Sequence, residues 1–122
     1  MTERRRDKRV DEENRVIIEF AKPESAGDFW TINAFTRDVS LGGARILTDR
    51  AFSIDSEISM TMFLSRSKQI ARVHGKIKWV RNVDDGLYEM GVEFMHEIPS
   101  ALIILINHLY RKDQPISTSI HA

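Results

Sequence analysis

Five of the first nine residues are cationic (Arg4, Arg5, Arg6, Lys8 and Arg9), and within them Arg5 and Arg9 form an Arg-x-x-x-Arg pair. Further along the chain stands Asp38-Val39-Ser40-Leu41-Gly42-Gly43, an Asp-x-Ser-x-x-Gly pattern. An arginine presents five donors in a planar fork, which matches a phosphate or the O6 and N7 edge of a guanine, and its flat face stacks on a purine. Asp38 offers a carboxylate that accepts from the donor edge of a base, and Ser40 a hydroxyl that donates to an oxygen. Gly42 and Gly43 are expected to permit positive φ and to leave room for a ligand against the backbone. This equipment suits a small anion that also carries hydrogen-bonding rings, a description that a nucleotide fits.

Magnitudes support a shared grip. Ordering a mobile arm costs roughly 1–2 kcal/mol per residue, whereas a charge-assisted hydrogen bond returns roughly 1.5–3 kcal/mol. One arginine is too few, but four against a doubly charged ligand leave a surplus consistent with roughly micromolar binding. The turn alone has a purely structural reading, since Asp and Ser commonly bond their own backbone. With 12 arginines in the chain, Arg-x-x-x-Arg arises about once by chance, whereas Asp/Asn-x-Ser-x-x-Gly is expected roughly 0.05 times. The signal lies in the conjunction.

The elements that must position these residues read as follows. Residues 1–13 are polar and without periodicity, and are expected to form a flexible basic arm. Residues 14–20 alternate as a half-buried strand, with Val16, Ile18 and Phe20 on one side. Residues 22–28 form a turn, residues 29–37 a second strand, residues 38–43 the motif turn and residues 44–47 a short third strand. Residues 57–64 alternate most clearly, with Ile58, Met60, Met62 and Leu64 facing inward. The next strand is long, and its alternation puts Trp79 on the core side with Val73 and Ile77. A hairpin turn at residues 82–86 leads into a sixth strand over residues 87–94. Six strands joined mostly by short turns indicate a sandwich or small barrel. Pro99 and Ser100 open a helix that runs to about residue 112, with Ser100 a candidate N-cap. Leu102, Ile103, Leu105, Ile106, Leu109 and Tyr110 fall within an arc of about 160°, with Ile104 off the stripe and His108 opposite it. Residues 14–113 thus read as one domain, and residues 114–122 as a frayed tail.

At 122 residues the chain is long enough for one core. Lysine plus arginine and aspartate plus glutamate number 18 each, so net charge selects no nucleic-acid partner. The lack of cysteine excludes disulfides, thiolate metal sites and cysteine nucleophiles. There is no secretory signal pattern at the N-terminus, and no apolar run of the length a membrane span needs. A soluble, cytoplasmic domain is expected. His74, His96, His108 and His121 lack metal-ligand spacing and read as surface residues. No histidine base stands beside Asp38 or Ser40 in the sequence, which argues against a hydrolytic site.

On these motifs, and on Gly75-Lys-Ile-Lys-Trp79, Tyr88-Glu-Met-Gly-Val-Glu-Phe94 and the closing helix, the chain resembles the PilZ domains, bacterial receptors for cyclic di-GMP. The resemblance covers nearly the whole chain. It implies a six-stranded antiparallel β-barrel with a C-terminal helix, in agreement with the strand reading. It implies that Arg5 and Arg9 clamp the ligand, with Asp38, Ser40 and Gly43 as the other half of the site. An arginine at the position of Arg4 tends to accompany two intercalated nucleotides, so one or two cyclic di-GMP per chain are expected, with two favoured. Trp79 matches an aromatic position that approaches a guanine in some members. The resemblance implies a sensor with no catalytic role, no cofactor and no metal. Its arm orders over the nucleotide and thereby changes the surface offered to an unidentified effector protein. Two other readings compete: a nucleotide-independent adaptor for a motility, pilus or secretion machine, and a barrel that binds RNA or single-stranded DNA through the arm. The last wants several exposed aromatic platforms, which the predicted core faces leave scarce.

Overall fold

The computed structural model describes residues 8–21 and 29–110. Arg4, Arg5 and Arg6, the predicted turn at 22–28 and the tail at 114–122 lie outside the described residues, as do most of the predicted flexible arm and the last residues of the predicted helix. The described elements are β1 (Arg9–Asp11), β2 (Arg15–Ala21), β3 (Phe29–Ser40), β4 (Gly43–Thr48), β5 (Glu57–Leu64), β6 (Gln69–Asp84), β7 (Leu87–Phe94) and α1 (Pro99–Tyr110).

Every pairing is antiparallel. The order is β1-β3-β2-β5-β6-β7-β4, and β4 pairs back onto β3. Six strands therefore close into the expected barrel, and β1 is an extra strand. β3 is long enough to serve two partners on one edge, with β2 along residues 29–35 and β1 along residues 38–40. The extra strand lies in the segment that composition alone assigns to the arm. Three residues are too short for alternation to betray them.

Period-two alternation fills the barrel. Val16 and Ile18 of β2, Ile58, Met60, Met62 and Leu64 of β5, Val73 and Ile77 of β6, and Met90 and Val92 of β7 are buried. Each such side chain removed from water contributes about 1.5–3 kcal/mol. The alternation breaks three times, twice beside the motif residues and once near the end of β6, between Asn82 and Asp84. In β3 the register shifts between Thr36 and Asp38, so that Asp38 stands opposite Arg45. In β6 it shifts between Ile77 and Trp79, so that Trp79 stands opposite Gly91. An extra residue in one strand turns every later side chain to the other face. The core-side placement of Trp79 is therefore corrected: the bulge puts its ring on the outer wall.

The helix also departs from expectation, in its cap and in its buried face. It begins at Pro99, and the Ile98 carbonyl accepts from the amides of Ala101 and Leu102 at 3.0 and 3.4 Å. Ser100 thus lies inside the first turn, and proline takes the first helical position, where its missing N–H costs nothing. α1 buries Ala101, Leu105, His108 and Leu109, and Ile104 packs partly against the core. Ile103 is 60% exposed, and Ile106 and Tyr110 also face outward. The buried stripe is rotated from the most apolar arc because a polar pocket awaits one member of it. His108 is 0% exposed, which corrects its surface reading. No helix among the described residues is long and apolar enough to cross a membrane.

That pocket ties the helix to the strand side of the barrel. His108 Nε2 lies 2.5 Å from Glu12 Oε1, and Nδ1 lies 2.6 Å from Ser67 Oγ. A carboxylate only accepts, so Nε2 carries the proton. Glu12 also accepts from Asn14 Nδ2 at 2.9 Å and Arg66 Nε at 3.2 Å. Burial by itself raises the Glu12 carboxyl, but the bonds from His108, Asn14 and Arg66 and the attraction of His108 outweigh it. They hold the group at about 2, against an ordinary 4.5. A lowered folded-state value means stability that is fully present above pH 4.5 and is lost as pH falls toward 2. Glu12→Gln should cost about 1–2 kcal/mol near neutrality, after allowance for solvent screening. Urea unfolding at a series of pH values checks this. The gap between the two proteins should close between pH 4.5 and 2, and a gap that is independent of pH would exclude the assignment.

Candidate functional site

A recess of about 840 Å³ opens on the outer wall where β1, the end of β3, β4, β6 and β7 meet, and Arg9, Asp38, Ser40, Gly42, Gly43 and Trp79 all line it. The barrel thus brings together every described residue singled out from the sequence. Arg45, Lys78, Asp11 and Glu93 line it as well. Arg45 and Glu93 alternate outward from β4 and β7, Lys78 is the extra residue of the β6 bulge, Asp11 ends the short β1, and none of them carries a motif. The only sequence signal for Arg45 is its place two residues past Gly43, on the same face.

Asp38 organises the wall. Its side chain is almost fully buried, and Arg9 Nη1 donates to Oδ1 at 2.5 Å while Arg45 Nε donates to Oδ2 at 2.6 Å. The Arg45 amide also approaches Oδ1 at 3.3 Å. The hydrogen bond that Arg45 donates to Asp38, reinforced by the charges of Asp38, Glu89 and Asp11, holds the Arg45 guanidinium above its already high value against the opposing effect of burial. Beyond Arg45 the alternation of charge continues. Arg45 Nη1 lies 3.4 Å from Glu89 Oε2, and Arg81 Nη2 lies 2.7 Å from Glu89 Oε1. Arg9, Asp38, Arg45, Glu89 and Arg81 thus form a ladder across β1, β3, β4, β7 and β6. Among the described residues, Nε of Arg9 is buried without a hydrogen-bond partner.

The motif residues sit differently from the sequence expectation. β3 runs through Ser40, so Asp38 and Ser40 are strand residues and only Leu41 and Gly42 form the turn. Ser40 Oγ donates to the Gly43 carbonyl at 3.2 Å, which closes that turn. Neither Gly42 nor Gly43 has positive φ. Gly43 is needed for another reason, since a Cβ there would run into the Val92 carbonyl of the neighbouring strand. Gly91 has a side-chain neighbour instead. The Trp79 indole lies over it, in the space a Cβ would take, and is 38% exposed on its other side.

These contacts predict unequal effects for two alanines. Gly43→Ala pushes on a backbone that cannot yield and should destabilise the barrel by about 1–3 kcal/mol. Gly91→Ala meets only a ring that can swing outward, so stability should fall less while the Trp79 emission moves to the red. Chemical denaturation and fluorescence in a Trp30→Phe background check both. Equal losses of stability would contradict the backbone-versus-side-chain distinction.

Among the described residues no group of three or more His, Cys, Asp or Glu side chains is placed to hold a metal ion. The fold and the recess together define a small closed barrel that presents on its outer wall a groove lined by three cationic side chains, three acidic ones and one tryptophan face. The chain belongs to the PilZ domain family, whose pattern matches residues 3–112.

Three solved structures illustrate the likeness. The Bacillus subtilis inhibitor of motility MotI/DgrA has a TM-score of 0.69 and 16% identity, covering 90% of this chain and 51% of that one. The PilZ domain of Escherichia coli YcgR, solved with c-di-GMP, has a TM-score of 0.67 and 16% identity, covering 88% and 90%. The K. pneumonia MrkH–c-di-GMP complex has a TM-score of 0.67 and 16% identity, covering 85% and 50%. The chain spans about half the length of MotI and MrkH. A search of curated proteins finds no match.

Proposed function

We propose that this protein is a cyclic di-GMP receptor, a binding protein of the cytoplasm with no catalytic role. One observation carries the reading: Arg9, Asp38, Ser40, Gly42, Gly43 and Trp79, chosen for ligand chemistry, line a single recess. Cyclic di-GMP carries two phosphates and two guanines. Arg9 keeps Nη2 beyond the nitrogen committed to Asp38, its Nε being buried, and Arg45 likewise keeps donors in reserve. Either fork suits a phosphate or the O6 and N7 edge of guanine. The exposed face of Trp79 is a platform on which a base stacks, worth about 1–3 kcal/mol. Both Asp38 oxygens already accept from arginines, so in this reading Asp38 acts chiefly by holding the two forks in place. Arg5 completes the clamp from the arm with Arg4 and Arg6, and Arg4 favours a second nucleotide.

Binding then orders the arm over the nucleotide, and the altered surface is read by a separate effector protein. Calorimetric titration with cyclic di-GMP, with GTP and cyclic GMP as controls, tests the reading, and its stoichiometry of one or two bears on Arg4. Arg9→Ala should weaken binding at least tenfold through the loss of charge-assisted bonds, and Trp79→Ala about fivefold to a hundredfold, with the barrel still folded. Affinity that stays within about twofold of the parent in Arg9→Ala would rule out the clamp. No selective binding by the parent protein would leave the nucleotide-independent adaptor as the better account.

A further inference from the structure

α1 touches both ends of β1, although it contributes nothing to the recess. At one end the Lys8 amide donates to Tyr110 Oη at 3.1 Å. At the other, the Glu12 carboxylate meets the fully buried ring of His108. Between them lie Arg9, Val10 and Asp11, joined to β3 by only three register pairs. A strand this short has little stability of its own. Arg9 is also an awkward residue to seat, because its buried Nε has no partner among the described residues. Asp38 alone must offset that loss unless the strand is held from elsewhere.

We propose that His108 is a positioning residue for the arginine clamp: by fixing Glu12 it holds β1 in register, so that Arg9 meets Asp38. The inference rests on the cyclic di-GMP reading for its consequence, but not for its geometry. Glu12 is the natural anchor. Its amide donates to the Arg37 carbonyl at 3.1 Å, and its own carbonyl accepts from Thr36 Oγ1 at 2.6 Å. Its carboxylate gathers donors from Asn14, from Arg66 beyond β5 and from His108 in α1. Any shift of Glu12 is thus passed along the three residues that carry Arg9. His108 lines no part of the recess, and its other partners, Ser67 and Arg66, lie outside β1, so its route to Arg9 runs through Glu12. An apolar ring at position 108 would face the carboxylate with nothing to donate. The carboxylate would keep only Asn14 and Arg66, and the end of β1 would be held less firmly.

The test compares His108→Phe, which keeps a ring but donates nothing, with His108→Gln, whose amide can still reach Glu12. Amide hydrogen exchange in β1 and in β5–β6 is measured without ligand, and cyclic di-GMP affinity by calorimetry. In His108→Phe, β1 exchange should rise about tenfold while β5–β6 stays unchanged, and affinity should fall about tenfold. Both should largely recover in His108→Gln. Unchanged β1 exchange would overturn the proposal. So would β1 and β5–β6 rising together, which would make His108 a core residue only. Should His108→Phe fail to fold, Glu12→Ala carries the same two readings from the arm side and leaves the helix intact. If the parent protein does not bind cyclic di-GMP, the functional reading fails while the exchange data still decide the positioning role.

Discussion

Asp38 is a carboxylate with almost no access to water, and the organisation of the recess follows from the need to balance it. Stripping an ion of water costs several kcal/mol even after the protein relaxes. That cost is tolerable only where cations sit at bonding distance. Arg9 and Arg45 do so from opposite sides, one from an extra strand and one from across a bulge. Glu89, equally buried, repeats the arrangement between Arg45 and Arg81. The guanidinium forks are therefore aimed by the charge balance of the barrel itself. A group fixed in advance loses less freedom when it binds, so in the proposed receptor part of the affinity would be built into the fold.

Two of the three β-bulges, the one in β3 and the one after Ile77 in β6, make this geometry possible. Without the shift between Thr36 and Asp38, the carboxylate would stay in phase with Thr36, which faces Ile46 in the core. Without the shift between Ile77 and Trp79, the indole would follow Ile77 into the barrel. Each bulge gives up a regular stretch of ladder, and each puts a chemically useful side chain on the outer wall. They lie on different strands, yet both open on one recess. Breaks in a strand's own pattern concentrate where a site is built.

This explains which parts of the molecule were legible in the sequence. Alternation in residues 57–64 and 87–94 reads directly as strands because burial on one face demands it. The motif residues point to one site because their chemistry is redundant with their spacing. A bulge leaves no such trace: one extra residue in β6 looks like any other, and strict alternation sends Trp79 to the wrong side. His108 misleads for a related reason. Apolar arcs locate a buried helix face only when every partner is apolar, whereas here Glu12 and Ser67 from distant segments await a polar ring. The strand β1 escapes because its three residues are held by tertiary bonds, with no local pattern of their own.

A distinction follows between motif residues that build the barrel and those left over for a ligand. Ser40 closes the turn with the Gly43 carbonyl, and Gly43 admits the Val92 carbonyl. Asp38 spends both oxygens on arginines. These three would be needed to form the wall even if nothing ever bound to it, so their presence alone is weak evidence of a ligand. The spare donors of Arg9 and Arg45 and the open face of Trp79 stand on different ground. Donors turned toward the recess and the exposed face of the indole contribute little to stability by themselves. A barrel shaped only by stability would have little reason to keep them together, so the argument for a bound nucleotide rests on these surplus groups more than on the turn that first draws the eye.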